Sequence, residues 1–344
     1  MDTGRARRTS AGSPTLDQVA LAAGVSRATA SRAINGGDRV SPQAQAAVDA
    51  AVRRLRYTPN RAARSLVTRR TDSVAVVLPE PDERVFSDPF FAGWLRGVNR
   101  VLAERDLQLV LLLAQPGAEG ARTMRYLSNR HVDGALVVSH HRDDGLADHL
   151  ASLGLPSVFG GRPWSSEQVS YVDVDNLNGG QTATRTLIER GCRRIGTIAG
   201  PTDMTAAEDR LRGWRTAMLA AGLADDAVEH GDFTEDGGES AASALLARHP
   251  DLDGLVVASD LMAVGALKVL TAQGRRVPED VAVVGYDDLG VAERTTPPLT
   301  TVRQPIGEMA ERATRLLLEQ IDHGIPEEPA RLVIPCRLVR RASA

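Results

Sequence analysis

Three short amphipathic stretches open the chain; beyond residue 70, apolar β-branched runs alternate with segments of helical spacing. In the first stretch Leu16, Val19 and Ala20 share one face, and Gly24 stands where the backbone must turn in a conformation side chains resist. Ser26 is placed to cap a second helix with Ala30 and Ala33 facing inward and Arg27, Ala28, Thr29, Ser31 and Arg32 facing outward. Ser41-Pro42 starts a third helix that runs to about Leu55, with proline at the first position, where a missing N–H costs little. Two helices joined by so tight a turn form a helix-turn-helix, which lays its second helix in a DNA major groove.

The runs 74–78, 109–113, 135–138 and 157–159 read as buried parallel strands, and 195–198, 255–257 and 281–284 as a second set. Helical spacing covers 91–105 and 123–130 in the first set, then 181–190, 210–221, 238–248, 262–273 and 306–323. Such alternation predicts a doubly wound α/β architecture in two successive layers, with ligands held beyond the carboxyl ends of the strands.

Charge sharpens this division. Residues 1–70 hold 13 Arg against 4 Asp, or +9, whereas the remainder holds 28 basic against 40 acidic residues, or −12. A basic head on an acidic body confines nucleic-acid contact to one end. Lys268 is the sole lysine, which reads as the coding bias of a GC-rich genome. Cys192 and Cys336 lie far apart without metal spacing and read as reduced thiols. Residues 1–13 form a polar, basic tail expected to be disordered, with no apolar signal region. No stretch approaches the ~18 apolar residues of a membrane span, so a cytoplasmic protein with no membrane partner is expected.

After the third helix comes Tyr57-Thr58-Pro59-Asn60-Arg61-Ala62-Ala63-Arg64-Ser65-Leu66. Asn60 can cap, Arg61 and Arg64 are positive, and Ala62, Ala63 and Leu66 make a short apolar strip. A helix of about seven residues does not hold itself together in water and needs DNA or a partner. With this segment the chain from Thr15 to Arg341 resembles the LacI/GalR family of transcriptional regulators. The resemblance implies a hinge helix that folds on the operator in the minor groove, with Leu66 wedging into the central step and Ala63 against the groove floor. It also implies base reading by Arg27, Ala28 and Arg32. Thr29, Ser31 and Asn35 read as groups that position the helix on phosphates or neighbouring bases, and Thr15, Ser26 and Tyr57 complete the expected DNA-binding set.

The family's core resembles periplasmic sugar-binding proteins, in which the chain crosses several times between two lobes. The expected organisation is a helix-turn-helix domain at 14–59, a hinge helix and linker at 60–71, and an effector-binding and dimerisation core at 72–344. By resemblance lobe one spans about 72–173 and 304–326, and lobe two about 174–303 and 327–344. The fold class is thus a small all-α DNA-binding domain followed by an α/β two-lobed core with two doubly wound parallel sheets.

Candidate effector ligands stand at the strand ends. Three of the five phenylalanines fall within 86–91, and this segment resembles a family motif in which an aromatic packs on effector; Phe90 and Phe91 are the candidates. Arg162 follows the fourth strand. Arg210, three residues before a Gly-Trp pair, matches a family arginine that reaches into the cleft, and its fork suits sugar hydroxyls or a carboxylate. Phe233 matches a position that stacks on ligand. Asp287, the first acid of Gly285-Tyr286-Asp287-Asp288, matches an acceptor for effector hydroxyls, whereas Asp288 reads as structural. Ser259 and Met204 depart from the residues of some sugar-binding and purine-binding relatives, which leaves effector identity open around a neutral or lightly charged sugar.

No dinucleotide fingerprint, P-loop, nucleophile elbow or zincin motif occurs in these loops. The acid pair Asp173 and Asp175 has no identifiable partner base, and His140-His141 reads as a loop. Neither catalysis nor a cofactor or metal is expected. The sequence therefore predicts a homodimeric repressor released from a pseudo-palindromic operator by a small sugar. Corepression or activation stays open, since the sign of coupling is not written in the pocket. A sugar-binding receptor without DNA function would share the core, but the basic head argues against it.

Overall fold

A computed structural model describes residues 14–35, 40–58, 70–115, 117–164 and 168–344. It divides into a unit ending at Thr71 and a larger one from Asp72 to Ala344. In the first unit, α1 (Leu16–Ala23) begins with a reciprocal cap: Thr15 Oγ1 accepts from the Gln18 amide while Gln18 accepts from the Thr15 amide. Gly24 ends it in the left-handed region. Ser26 caps α2 (Arg27–Ile34), and Ser41 with Pro42 opens α3 (Pro42–Leu55). Val19, Ala20, Ala30, Ala33, Val48 and Ala51 form the core of the three helices. Alanines at 30 and 33 suffice because Gln45 of α3 donates to the Ala33 carbonyl at 3.1 Å, tying α2 to α3 beside them.

The larger unit runs, in chain order, through β1 (Ser73–Leu78), α4 (Asp82–Ser87), α5 (Pro89–Ala103), β2 (Gln108–Leu113), α6 (Ala118–Ser128), β3 (Gly134–Val138), α7 (Leu146–Leu153), β4 (Ser157–Gly160) and β5 (Ser170–Val174). Next come α8 (Asn176–Arg190), β6 (Ile195–Ala199), α9 (Thr205–Ala220), β7 (Val228–His230), α10 (Glu235–Arg248), β8 (Gly254–Val257), α11 (Asp260–Ala272) and β9 (Ala282–Asp287). Then follow β10 (Thr300–Arg303), α12 (Ile306–His323), β11 (Arg331–Ile334) and β12 (Arg337–Val339). The strands form two six-stranded sheets, ordered β11-β5-β4-β3-β1-β2 and β12-β10-β9-β8-β6-β7. All pairings are parallel except β12 against β10. β1 and β3 are buried at every position, as their unbroken apolar runs require in a sheet covered on both faces.

The chain passes between lobes between β5 and α8, between β10 and α12, and again at 335–336. The last crossing corrects the expected boundary, which gave all of 327–344 to lobe two. Residues 331–334 pair in parallel register with Tyr171–Val174, satisfying the outer backbone groups of β5, so β11 belongs to the first sheet and only β12 to the second. Strands β5, β10, β11 and β12 and helices α4 and α7 are not among the runs read from the sequence; β5 (SYVDV) is wholly buried yet carries Ser170 and Asp173, which hide its apolar run.

Helix α8 meets α9 backbone to backbone. A Cβ at Gly213 would lie 2.2 Å from the Leu177 carbonyl oxygen, and one at Gly180 would lie 2.3 Å from that of Arg210. This contact places Arg210 at its depth in the second lobe. Gly213→Val must push the helices apart at a cost of about 1–3 kcal/mol. Its urea midpoint should fall accordingly, while Arg215→Ala on the exposed face should change little; an unchanged Gly213→Val midpoint would refute the close contact.

Candidate functional site: a helix-turn-helix and a two-lobed cleft

On α2, Arg27, Ala28 and Arg32 are exposed, and Thr29 and Ser31 are half-buried. Ser26 Oγ accepts from the Thr29 amide at 3.1 Å, and Asn35 closes the helix with its side chain 3.4 Å from Ser31 Oγ. Arg27 lies 3.2 Å from Asp17 with both side chains largely in solvent, a pair weak enough to exchange for a nucleic acid. Thr15 works within the unit as the α1 cap, and Tyr57 packs half-buried against its core. Asn60, Arg61, Ala63, Arg64 and Leu66 lie outside the described residues.

In the larger unit the carboxyl ends of the strands converge on a cleft between the lobes, with about 710 Å³ of empty space in its inner chamber. Arg210 is its deepest cation. It donates from Nε to Asn176 Oδ1 at 2.9 Å and from Nη1 to the Ala258 carbonyl at 2.6 Å, and it lies 3.6 Å from Asp287. Its guanidinium also covers the Tyr286 ring at 3.8 Å. Burial pushes the Asp287 carboxyl up to about 7 even though Arg210 pulls it down, and Gln304 donates to it. Asp173, raised by burial to about 6, accepts from the Val174 amide and from Asn176. His140 is buried edge-on to Phe159, and burial lowers its pKa. A neutral ring facing the Gly161 carbonyl at 3.2 Å must carry its proton on Nε2, leaving Nδ1 as an acceptor.

Aromatic faces complete the chamber. Phe90, Trp94 and Phe233 line it, and Trp94 Nε1 is buried with no hydrogen-bond partner among the described residues. Trp94 stacks so closely over Gly160 that a Cβ there would lie 2.5 Å from the indole. Ser139, Phe233 and Asp287 hold positive φ values of 61°, 67° and 109°, conformations costly for residues other than glycine.

A polar latch joins the lobes beside this chamber. His141 Nδ1 is 2.8 Å from Asp203 of lobe two and Nε2 is 3.1 Å from Glu80 of lobe one. Hydrogen bonding to Glu80 raises its pKa to about 9, against the opposing effect of burial. The Arg142 amide and the Trp164 indole both donate to the Asp203 carbonyl, at 2.9 and 2.7 Å. Arg84 bridges to Glu80 at 2.6 Å.

Of the sequence candidates, Phe90, Met204, Arg210, Phe233, Ser259 and Asp287 line the inner chamber. Phe91 does not: it is fully buried and packs into the lobe-one core, because consecutive helical residues point in different directions. Arg162 does not line it either; it is committed to Asp209 at 2.6 Å, across the lobe boundary. Arg84, Asp88, Trp94, His140, Asp173, Asn176 and Gln304 were missed. Trp94 had a signal, since it falls one helical turn after Phe90 and so shares its face; Asp173 and His140 were noticed without a place to put them. Among the described residues no cluster of three or more His, Cys, Asp or Glu could hold a metal, and no helix is long and apolar enough to cross a membrane.

A carboxyl that titrates near 6 in the fold and near 4 when unfolded keeps its proton better in the folded state, so its contribution to stability falls as pH rises from about 4 to about 6 and stays low above. Asp173→Asn retains an acceptor for the Val174 amide without that ionisation. The stability difference between Asp173→Asn and the parent should grow by up to roughly 3 kcal/mol in favour of the variant between pH 4 and 7.5. Urea denaturation across that range measures it, and a pH-independent difference would exclude a buried carboxyl with raised pKa.

A family profile described as "Bacterial regulatory proteins, lacI family" matches residues 15–60, and one described as "Periplasmic binding protein-like domain" matches 184–344. The chain is 53% identical over 334 residues to the HTH-type transcriptional regulator CelR of Thermobifida fusca, covering 96% of this chain and 98% of that protein. It is 34% identical to the ribose operon repressor of Escherichia coli K12, covering 96% and 99%. Among solved structures, a transcriptional regulator CelR–cellobiose complex aligns with a TM-score of 0.77 at 51% identity, over 96% of this chain and 100% of that one. The lac repressor dimer bound to operator and an anti-inducer shares the fold, with a TM-score of 0.84 at 24% identity over 96% and 98%. A helix-turn-helix, a two-lobed periplasmic-binding-protein-like core and 53% identity over 334 residues to such a regulator converge: this chain belongs to the lacI family of bacterial DNA-binding transcriptional regulators.

Proposed function

We propose that the protein represses carbohydrate-utilisation genes as a homodimer on a pseudo-palindromic operator and releases it when a neutral disaccharide of the cellobiose type enters the cleft. The observation that carries this reading is the Arg210–Asp287 pair, 3.6 Å apart, in a chamber walled by Phe90, Trp94 and Phe233. A sugar presents hydroxyl edges and apolar ring faces. The pair offers a fork of donors and an acceptor for the edges, and the aromatic rings cover the faces. The similarity to a CelR–cellobiose complex supports the choice of sugar.

Arg27, Ala28 and Arg32 read bases in each half-site, with the guanidinium groups suited to guanine O6 and N7. Thr29, Ser31 and Asn35 set the helix against the backbone, and the hinge wedges Leu66 into the central step, a device that kinks the duplex at an easily unstacked pyrimidine–purine pair. Sugar favours closed lobes; closure separates the two hinges, and sugar lowers operator affinity by the same factor by which bound operator lowers sugar affinity.

Genomic fragments selected by the full-length protein at stated salt, with and without cellobiose, should yield a palindrome that is lost when the sugar is added. Asp287→Asn should bind that operator normally while its cellobiose affinity falls at least about 30-fold, the lower end expected for disrupting a buried charged pair. Arg27→Ala should do the reverse. Selection of no palindrome would reject the repressor reading; stronger selection with sugar would make the sugar a corepressor.

A further inference from the structure

Beyond the Arg210 chamber the cleft opens into a second and larger one of about 2070 Å³, its mouth included. Arg84, Asp88, Phe233 and Leu261 line both. The outer chamber adds room for more of a molecule held in the inner one. At the passage between them the Arg84 guanidinium lies 5.5 Å from the centroid of Phe233, and its Nε is buried without a partner although Nη1 holds Glu80.

The outer chamber differs in charge. Nine carboxylates line it, against one arginine and one histidine. Glu80 and Asp203 are engaged by His141, and Glu235 by Lys268. Asp143 of lobe one and Asp236 of lobe two are exposed, and neither makes an ion pair among the described residues. Like charge lining a low-dielectric cleft focuses its field, repelling anions while leaving hydroxyl donors welcome.

We propose that the outer chamber is a second carbohydrate subsite, which takes the glycosyl units of an uncharged oligosaccharide beyond those the inner chamber encloses and turns away phosphorylated sugars. The proposal rests on the reading of the inner chamber as a sugar site. Calorimetric titration of the full-length protein with glucose, cellobiose, cellotriose, cellotetraose, maltose, maltotriose and 6-phosphorylated cellobiose tests it. Cellotriose should bind within threefold of cellobiose, and the phosphorylated disaccharide at least tenfold more weakly. In Asp143→Asn with Asp236→Asn the ratio of phosphorylated to unphosphorylated affinity should rise at least threefold. Ser87→Trp, which narrows the outer chamber, should weaken cellotriose at least fivefold more than cellobiose. A tenfold loss on adding the third unit in both sugar series, or equal binding of the phosphorylated disaccharide, would overturn the subsite. Failure of both disaccharides to bind would instead remove the sugar reading, and the subsite with it.

Discussion

A buried guanidinium is the fixed point of the larger unit. Removing Arg210 from water is costly, and the cost is offset only because Asn176, the Ala258 carbonyl, Asp287 and the Tyr286 face surround it together. Those partners come from α8, the end of β8 and β9, so one side chain ties three elements of the second lobe to a fourth, α9, that carries it. The backbone contact at Gly180 and Gly213 sets its depth. The same side chains that hold the lobe together line the inner chamber, so the stability of the lobe and the chemistry of its cleft wall are a single electrostatic arrangement.

The first lobe contributes surfaces of a different kind. Phe90, Trp94 and His140 present apolar faces and one neutral imidazole acceptor, whereas charge is gathered farther out, where Glu80, Arg84, His141 and Asp203 meet. His141 carries a proton throughout the neutral range, so the latch is an imidazolium between two carboxylates of opposite lobes. Glu80 is held below the usual carboxylate range by His141, Arg84 and Ser139 despite its burial. A regulator that responds by lobe movement needs a boundary made of such directional, exchangeable contacts rather than one welded by apolar packing, because a ligand shifts only an equilibrium whose two states it distinguishes.

Much of this was legible in the sequence. The helix-turn-helix followed from the spacing of small and apolar residues and from Ser26 and Ser41 at cap positions, all local effects. The parallel sheets followed from unbroken β-branched runs. Arg210, Phe233 and Asp287 were legible through resemblance to family motifs. What stayed hidden depends on register and direction. Nothing local says that Phe90 faces the chamber and Phe91 the core, nor that Arg162 is drawn off to Asp209. Arg84 and Gln304 reach the cleft from a helix and a crossing segment whose placement is decided by distant strands. The third crossing was misplaced because that boundary rested on resemblance alone, and only pairing with β5 or β10 separates 331–334 from 337–339.

That late pairing bears on how the chain is made. Lobe one acquires β11 on the edge of β5, and α12 against α5 with Gln320 reaching the Ser157 amide, only after the whole of lobe two's central sheet has been translated. On a ribosome the earlier-synthesised half must wait with an open strand edge and an uncovered helix face, while the later half can assemble all but β12. Such exposed edges are where unfinished chains associate. The half made first waits longest for its missing pieces, and chaperone cover during that interval would serve lobe one more than lobe two.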